Sequence, residues 1–463
     1  MWLEIAAVIV ALVFVVYLLF KRKYQYWNSK GVYQIKPSFP VGSIPEFFTK
    51  SRAFNDVLID HAKETQGLPY YGIYFLSSTV LMIKDPDLIR QITIKDFDHF
   101  VDRNGVRTHK KMFGNTMTDI IWSKQMSNAV GEEWKNIRST FTPIFTAGSM
   151  KAMMVFIQES CRQLIKTMDS FAINKEDFEA KECLGKYSMD TIASCAFGVD
   201  AQSFTNDKSL FVQYAKNIFH QDVTQGLKLV FTLLLPFGLG KRILNAMGKS
   251  VFFRVTETHF FYDVLKESLK LRKQSNQRRN DLVDLMLDAI KGDLDSADDK
   301  DEEQFEKDAK FKHTAKKGTF DELEIVATAM VLLVAGYDTT GSALAYCCYD
   351  LSKNPEVQDK LRSEVEEVCD TDDDQEITYD QLQSMTYLDQ VLSETLRFHT
   401  PVGMLQRAVT KRYQVPNSDI ILEKDMNAWI NVMSVHMDPK HYETPEVYNP
   451  DHFSKEAKAK RHP

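Results

Sequence analysis

Residues 325–345 read IVATAMVLLVAGYDTTGSALA, an almost wholly apolar stretch long enough for a buried helix. Within it lie a glycine, Gly336, a carboxylic acid, Asp338, and a hydroxyl, Thr339. Glycine weakens a helix interior, and a buried carboxylate is costly unless it is hydrated or paired. Sequences that depart from their own local rules often mark functional sites. An acid beside an alcohol on such a helix can pass protons from water into a dry cavity.

A purely structural interpretation of this helix is also open. In that interpretation Gly336 serves close packing, and the hydroxyl of Thr339 bonds back to its own helix backbone. The helix alone does not decide between the two interpretations, so the rest of the chain has to be considered.

The composition limits the classes of protein to consider. The chain has 463 residues, of which 44% are hydrophobic and 30 are Phe, so it can bury a substantial core. Its net charge of −7 argues against nucleic acid as a partner. The six cysteines have neither zinc-site spacing nor the density of a secreted scaffold. We interpret them as small buried hydrophobes in a reducing compartment.

The N-terminus carries an uninterrupted apolar run over residues 5–20, followed at once by Lys21–Lys23. Together with the residues just before it, the run is long enough to cross a bilayer. A cleaved secretory signal would have basic residues ahead of the run, where the charged side chain is Glu4. Because basic flanks stay on the cytosolic side, we expect 1–23 to be a single-pass anchor with the catalytic domain in the cytosol.

Periodicity predicts a fold that is mainly α with a small β-sheet. The prolines of residues 24–46 predict a stiff linker, followed by one large domain over residues 47–463. Residues 291–318 predict an exposed charged loop. Strands are expected at 70–75, 79–83, 420–422 and 428–432, and helices at 189–197, 252–271, 281–290, 355–368 and within 379–398.

Two charged motifs lie on predicted helices. Glu394 and Arg397 are three residues apart, so they share a helix face and can pair. Surface helices often carry such pairs, yet the neighbouring residues here are apolar. Trp134 and Arg138 are four apart, and both side chains can donate to an anion. An amphipathic helix with Trp in the core and Arg at its rim is the alternative.

Taken together and in order, these motifs resemble the cytochrome P450 family, the haem-thiolate monooxygenases, and in particular its microsomal branch. The matching stretches are GEEWKNIRSTFTPIFTAG (131–148), AGYDTT (335–340), NPEVQDKLRSEV (354–365), SETLR (393–397), HMDP (436–439) and NPDHF (449–453). The resemblance implies the fold of that family over nearly the whole chain.

The resemblance also implies roles for individual residues. Asp338 and Thr339 would be the acid–alcohol pair that delivers protons for oxygen activation. Trp134, Arg138 and Arg407 would hold the haem propionates, which suits charge-assisted hydrogen bonding to carboxylates. Glu394 and Arg397 would be the structural pair behind the haem.

The sequence departs from the family pattern in two places. His452 stands where the family usually has Arg as third member of the Glu394–Arg397 network, and His is shorter and only partly charged at neutral pH. The axial Cys of the family's F-x-x-G-x-R-x-C-x-G loop, which would come shortly after Phe453, is absent from this chain. We therefore expect a chain truncated before its haem ligand, with no metal ligand of its own.

The function expected from the resemblance is oxygenation of lipophilic small molecules such as xenobiotics, steroids or fatty acids at the endoplasmic reticulum membrane. Electrons would come from NADPH through a reductase, with cytochrome b5 as a further donor, because no dinucleotide-binding fingerprint follows a strand in this chain. The alternative is a membrane-anchored, catalytically inactive binding protein of the same fold, or a fragment. The segments around Arg103–Trp122 and Asn206–Leu235 are expected to line the pocket.

Overall fold

The computed structural model describes residues 2–103, 113–206, 208–218, 228, 231–232, 239–250, 253–275, 277–291, 321–369 and 376–461. Nearly all of the predicted loop at 291–318 therefore lies outside the described residues. Within them the protein is mainly helical with a small sheet, as the sequence predicts.

The helices follow one another along the whole chain. In order they are α1 (Trp2–Lys23), α2 (Tyr26–Ser29), α3 (Pro45–Thr49), α4 (Phe54–Glu64), α5 (Pro86–Arg90), α6 (Met117–Lys124), α7 (Gly131–Phe141), α8 (Ala147–Asn174), α9 (Ala180–Ile192), α10 (Leu210–Ile218), α11 (Leu239–Ala246), α12 (Val255–Ser275), α13 (Leu282–Lys291), α14 (Glu322–Lys353), α15 (Pro355–Val368), α16 (Tyr379–Ser384), α17 (Thr386–Phe398), α18 (Val432–His436) and α19 (Lys455–Lys460).

The strands form one four-stranded sheet and one two-stranded sheet. They are β1 (Tyr70–Phe75), β2 (Ser78–Ile83), β3 (Met404–Ala408), β4 (Tyr413–Gln414), β5 (Ile421–Leu422) and β6 (Asn427–Asn431). The larger sheet has the order β1-β2-β6-β3, with β2 and β6 parallel and the other pairs antiparallel. Both faces of β2 are covered, because Val80 and Met82 join one apolar cluster while Leu81 and Ile83 join another.

Helix α14 is the centre of the helical part. Its first half is buried among α9, α12 and α13. It runs unbroken from Glu322 to Lys353, so the expectation that Gly336 loosens the helix was wrong. The glycines serve close packing instead. A Cβ on Gly341 would lie 3.0 Å from the Cα of Gly185 in α9, and a Cβ on Gly336 would lie 3.0 Å from Ile192.

One described helix, α14, has the length and apolar character that a membrane span requires. Because α14 packs inside the protein, we assign it to the core. The apolar residues of α1 have a different environment, since Leu3, Val10 and Leu19 are each more than half exposed. That exposure is compatible with membrane association of α1.

The segment expected to be a linker, residues 24–46, packs into the body of the protein. Trp27 is fully buried and its indole Nε1 donates to the carbonyl of Ile73 at 3.3 Å. The backbone of residues 33–35 pairs with Gly72 on β1, where Ile35 N donates to Gly72 O at 3.0 Å. The prolines shape this segment, but its apolar residues decide where it lies.

We expect Gly72→Ala to destabilise the protein by about 1–3 kcal/mol, the usual range for overpacking a filled core. A Cβ at this position would overlap the indole of Trp27. The matched control is Gly148→Ala, where a Cβ meets nothing within 4 Å. Urea unfolding of both variants checks this, and equal stability of Gly72→Ala and the parent would mean that Trp27 does not pack against this strand.

Candidate functional site

Three parts of the chain meet at Asp102, which is buried. Its carboxylate accepts the backbone N–H of Gly131, the first residue of α7, at 2.7 Å. An acid at a helix N-terminus satisfies an otherwise unpaired N–H and interacts favourably with the helix dipole. The backbone carbonyl of Asp102 accepts the N–H of Ala408 at the end of β3, at 2.8 Å. Asp102 thus fixes α7 and β3 relative to each other.

This connection brings three arginines close together: Arg103, Arg138 and Arg407. The pKa of Arg407 is lowered to about 10, first by burial and then by the positive charge of Arg103. The pKa of Arg103 is lowered as well, by surrounding protein atoms and by the charge of Arg138, although its side chain keeps an exposed side. We call Arg103, Arg138 and Arg407 the arginine cluster.

The arginine cluster has the chemistry of an anion site. Arg407 Nη1 donates to the carbonyl of Gln406 at 2.8 Å, but its buried Nε has no hydrogen-bond partner. A buried donor without a partner is costly, and like charges in contact repel. Both costs are removed by an anion with several acceptor oxygens. The two propionates of haem fit this description, and planar guanidinium groups bind carboxylates well.

The half-buried Trp134 and the exposed Arg138 lie on α7, as their spacing predicts. The ring of Trp134 packs near Phe97, with 5.9 Å between ring centroids. Lys124 holds the same region to α14, because its Nζ bridges Glu133 on α7 at 2.6 Å and Glu324 on α14 at 3.0 Å. The cluster therefore sits on elements whose relative position is fixed.

Asp338 and Thr339 point in different directions from α14, since consecutive helical residues are about 100° apart. Asp338 is exposed and its Oδ1 pairs with Lys181 Nζ at 3.1 Å, which explains how a carboxylate is tolerated on this helix. The hydroxyl of Thr339 donates to the carbonyl of Ala335, as the structural interpretation anticipates. The two residues are neighbours, but no hydrogen bond between their side chains is present in this part of the helix.

A cavity of about 290 Å³ opens beside Asp338. It is lined mainly by charged and polar side chains, among them Glu179, Lys181, Glu182, Lys216, Tyr337 and Asp338. Lys216 pairs with Glu182 at 3.1 Å across this cavity. Burial and the charge of Asp338 raise the pKa of Tyr337. Water in the cavity has direct access to the carboxylate of Asp338.

Glu394 and Arg397 form a fully buried ion pair with two parallel hydrogen bonds. Arg397 Nε donates to Glu394 Oε2 and Nη2 donates to Oε1, both at 2.7 Å. The remaining donors of Arg397 reach carbonyls, with Nη1 2.8 Å from the oxygens of both His436 and Pro445. Glu394 Oε1 also accepts the backbone N–H of Asn449 at 2.9 Å. The pair therefore fastens α17 to the segment from residue 436 to residue 449.

His452 completes this network in the place where the family usually has Arg. Its Nδ1 lies 3.1 Å from Glu394 Oε1, and its Nε2 lies 2.6 Å from the carbonyl oxygen of Glu443. A second histidine, His436, lies on the other side, with Nδ1 3.1 Å from the carbonyl oxygen of Arg397. Burial lowers the pKa of His436 to about 4, so it is neutral at physiological pH.

The six cysteines lie in other environments. Burial raises the pKa of Cys195 to about 12 and that of Cys347 to about 11, so both are protonated thiols. Burial also raises the pKa of Cys161, Cys183 and Cys348. A metal binds the thiolate form. Among the described residues no cluster of metal-ligating side chains was found, and the arginine cluster is their candidate anion site.

Sequence reasoning missed several participants. Arg103 was expected only as the start of a pocket-lining segment, and Asp102, Lys181 and the carbonyl of Glu443 were not singled out. These residues act through contacts between distant parts of the chain, and no local motif predicts those contacts.

Comparison with known proteins agrees with this arrangement of fold and site. The family model described as Cytochrome P450 matches residues 36–463. The chain therefore belongs to the cytochrome P450 family, whose members are haem monooxygenases, and it is an enzyme of that class by family resemblance.

The relatives it matches are insect proteins. Cytochrome P450 6B7 of Helicoverpa armigera is 32% identical over 465 residues, covering 100% of this chain and 86% of the relative. Cytochrome P450 6k1 of Blattella germanica is 30% identical, covering 98% and 83%. Probable cytochrome P450 6a14 of Drosophila melanogaster is 32% identical, covering 96% and 84%.

We expect Arg397→Ala to lower the free energy of unfolding by about 3–5 kcal/mol, because it leaves the buried carboxylate of Glu394 without its partner. The matched control is Arg362→Ala, since Arg362 pairs with Asp359 at the same three-residue spacing but is 55% exposed. Its loss is expected to cost less than about 1 kcal/mol. Urea unfolding of the two variants side by side measures the difference, and similar small losses would make Glu394–Arg397 an ordinary surface pair.

Proposed function

We propose that this protein is a membrane-anchored haem monooxygenase that inserts one oxygen atom from O₂ into a lipophilic small molecule. Its electrons come from NADPH through a reductase, with cytochrome b5 as a further donor, at the cytosolic face of the endoplasmic reticulum. The observation that carries the proposal is the arginine cluster. Its positive charges interact with one another, and the buried Nε of Arg407 has no hydrogen-bond partner, so an anion such as the haem carboxylates would stabilise it.

The residues of the chain have different roles in this proposal. Arg103, Arg138 and Arg407, with Trp134, hold and orient the haem through its propionates. Bound haem supplies the redox chemistry of oxygen activation, which amino acid side chains do not provide. Residues 1–23 hold the domain at the membrane, where lipophilic substrates concentrate. The Glu394–Arg397 pair keeps α17 in position and does not contact substrate.

Asp338 and Thr339 act in proton delivery in this proposal. Asp338 faces the water-accessible cavity and can take up a proton there when it separates from Lys181. Thr339 is the adjacent alcohol, on a stripe of α14 with Ala335, four residues away. A hydroxyl both donates and accepts, so rotation of the Thr339 side chain away from the Ala335 carbonyl lets it pass a proton onward.

A second candidate function is a binding protein of the same fold without monooxygenase activity. It is favoured by one observation, namely that the buried thiols whose pKa is raised are protonated and unsuited to metal binding. The two candidates differ in one measurement. The reduced, carbon-monoxide-bound spectrum of the full-length protein carries a thiolate signature if a cysteine ligates the iron, and lacks it in the binding protein.

The arginine cluster is tested by Arg407→Met. We expect haem affinity to fall about tenfold or more, because a hydrogen bond to a charged group contributes roughly 1.5–3 kcal/mol. We also expect the haem-free variant to be at least as stable as the parent, since a buried repulsion is removed. Haem titration and urea unfolding measure the two effects.

The matched control is Arg412→Met, which removes an exposed arginine that pairs with Glu423 at 3.4 Å on the neighbouring hairpin. It is expected to change neither quantity. Unchanged haem affinity in Arg407→Met, or an equal loss in both variants, would remove Arg407 from the haem site.

Proton delivery is tested by Thr339→Ala in a haem-loaded, full-length version of the protein with reductase. We expect NADPH consumption to continue, while peroxide released per NADPH rises, because positioned proton transfer contributes roughly 10²–10⁴-fold and its loss diverts the electrons. The control is Thr340→Ala, an exposed hydroxyl on the same helix. An unchanged peroxide yield in Thr339→Ala would contradict a role for this hydroxyl.

A further inference from the structure

Two histidines, His436 and His452, lie beside the Glu394–Arg397 pair, and we call these four residues the Glu394 corner. The hydrogen bonds of the two histidines require different protonation states. His436 Nδ1 faces a carbonyl oxygen, which can only accept, so this nitrogen carries a proton. Burial keeps the pKa of His436 low, and the nearby charge of Arg397 acts in the same direction. His436 is therefore the neutral histidine of the corner.

His452 is different because both of its ring nitrogens face acceptors. Its Nε2 lies 2.6 Å from the carbonyl oxygen of Glu443, so Nε2 must donate. Its Nδ1 lies 3.1 Å from Glu394 Oε1. That oxygen belongs to a carboxylate that already accepts from Arg397 Nη2 at 2.7 Å and from Asn449 N at 2.9 Å. A carboxylate surrounded by donors is ionised, so Nδ1 must donate as well.

The other arrangements of His452 fail on the same contacts. In a neutral ring with its proton on Nε2, the lone pair of Nδ1 would point at the negative oxygen of Glu394. A flipped ring would turn carbon atoms toward both acceptors and leave both ring nitrogens without these partners. Only a ring with two N–H groups satisfies Glu394 and Glu443 together.

We infer that His452 is held as an imidazolium, a second cation beside Arg397, which positions the segment from Glu443 to Phe453 against α17. The family's usual Arg is thus replaced here by another cation. The histidine is a positioning residue, since it touches the ion pair and the backbone of the loop.

Several other charged groups lie around His452. They are Glu394 and Arg397 on α17, Asp451 in its own turn, which pairs with Lys360 at 3.3 Å, and Arg461 at the end of α19. Arg461 stacks on Tyr442 at 4.7 Å, and the Tyr442 ring in turn contacts His452 with 5.7 Å between centroids.

The direct test is nuclear magnetic resonance of the full chain in detergent, labelled with ¹⁵N-histidine. The chain contains 11 histidines, and the two signals are assigned by their loss in His452→Arg and His436→Gln and by contacts of His452 with Tyr442. At neutral pH we expect two protonated ring nitrogens in His452 and a single one in His436. An unprotonated Nδ1 in His452 would overturn the inference.

A second measurement compares the thermal unfolding of the wild-type chain with that of His452→Arg and His452→Gln. We expect His452→Arg to melt close to the wild-type chain, because one cation replaces another between the same two acceptors. His452→Gln offers only one donor group and is expected to melt lower than both. Equal melting temperatures of His452→Gln and the wild-type chain would contradict the second cation.

Neither measurement uses haem or turnover, so its outcome is independent of the proposed function. If His452→Arg does not fold, the replacement of one cation by another is refuted, while the resonance measurement on the wild-type chain still reports the protonation state of His452.

Discussion

The buried ion pair of Glu394 and Arg397 is the interaction on which the C-terminal half of the protein depends. Taking two charges out of water is costly, and the pair is stable only because nearly every donor and acceptor around it is used. Those partners come from α17, from the chain around residues 436–449 and from the turn at Pro450–Phe453. A displacement of any one of these segments would leave a charge unsatisfied. The pair therefore favours one arrangement of the three segments over others that apolar packing alone would allow.

The extent to which the sequence predicts this structure depends on how local each feature is. The strand at Tyr70–Phe75 and the helix at Pro355–Val368 follow from periodicity and from turn residues at their ends, and the structure confirms both within the predicted bounds. The strand Met404–Ala408 was missed because it has no clear alternation, and it exists through its pairing with Asn427–Asn431. Residues 24–46 were assigned to a linker from their prolines, whereas burial of Trp27 decides their position.

In the candidate site, too, local spacing predicts some features and contacts between distant residues decide the others. The i,i+3 spacing of Glu394 and Arg397 predicts their contact, yet only the surrounding carbonyls show that the pair is buried. The spacing of Trp134 and Arg138 places them on one helix. The approach of Arg138 to Arg103, and of Arg103 to Arg407, depends on Asp102, which bonds to residues far away in the chain. Gly336 looked like a weak point in α14, and the contacts of Gly336 and Gly341 with α9 explain both as packing positions. Roles in catalysis for Asp338 and Thr339 stay a prediction.

The way Asp102 fixes the arginine cluster has a consequence for the life of the protein in the cell. The backbone connections hold the three guanidinium groups near one another before any anion arrives, so their repulsion is a permanent feature of the unloaded chain. A ligand that binds only the folded state stabilises it by mass action. Chains that have acquired their anion therefore unfold less often, and those without it are exposed more often to proteases. In the proposed function that anion is haem, so the folded chain is expected to last longer once the anion is bound.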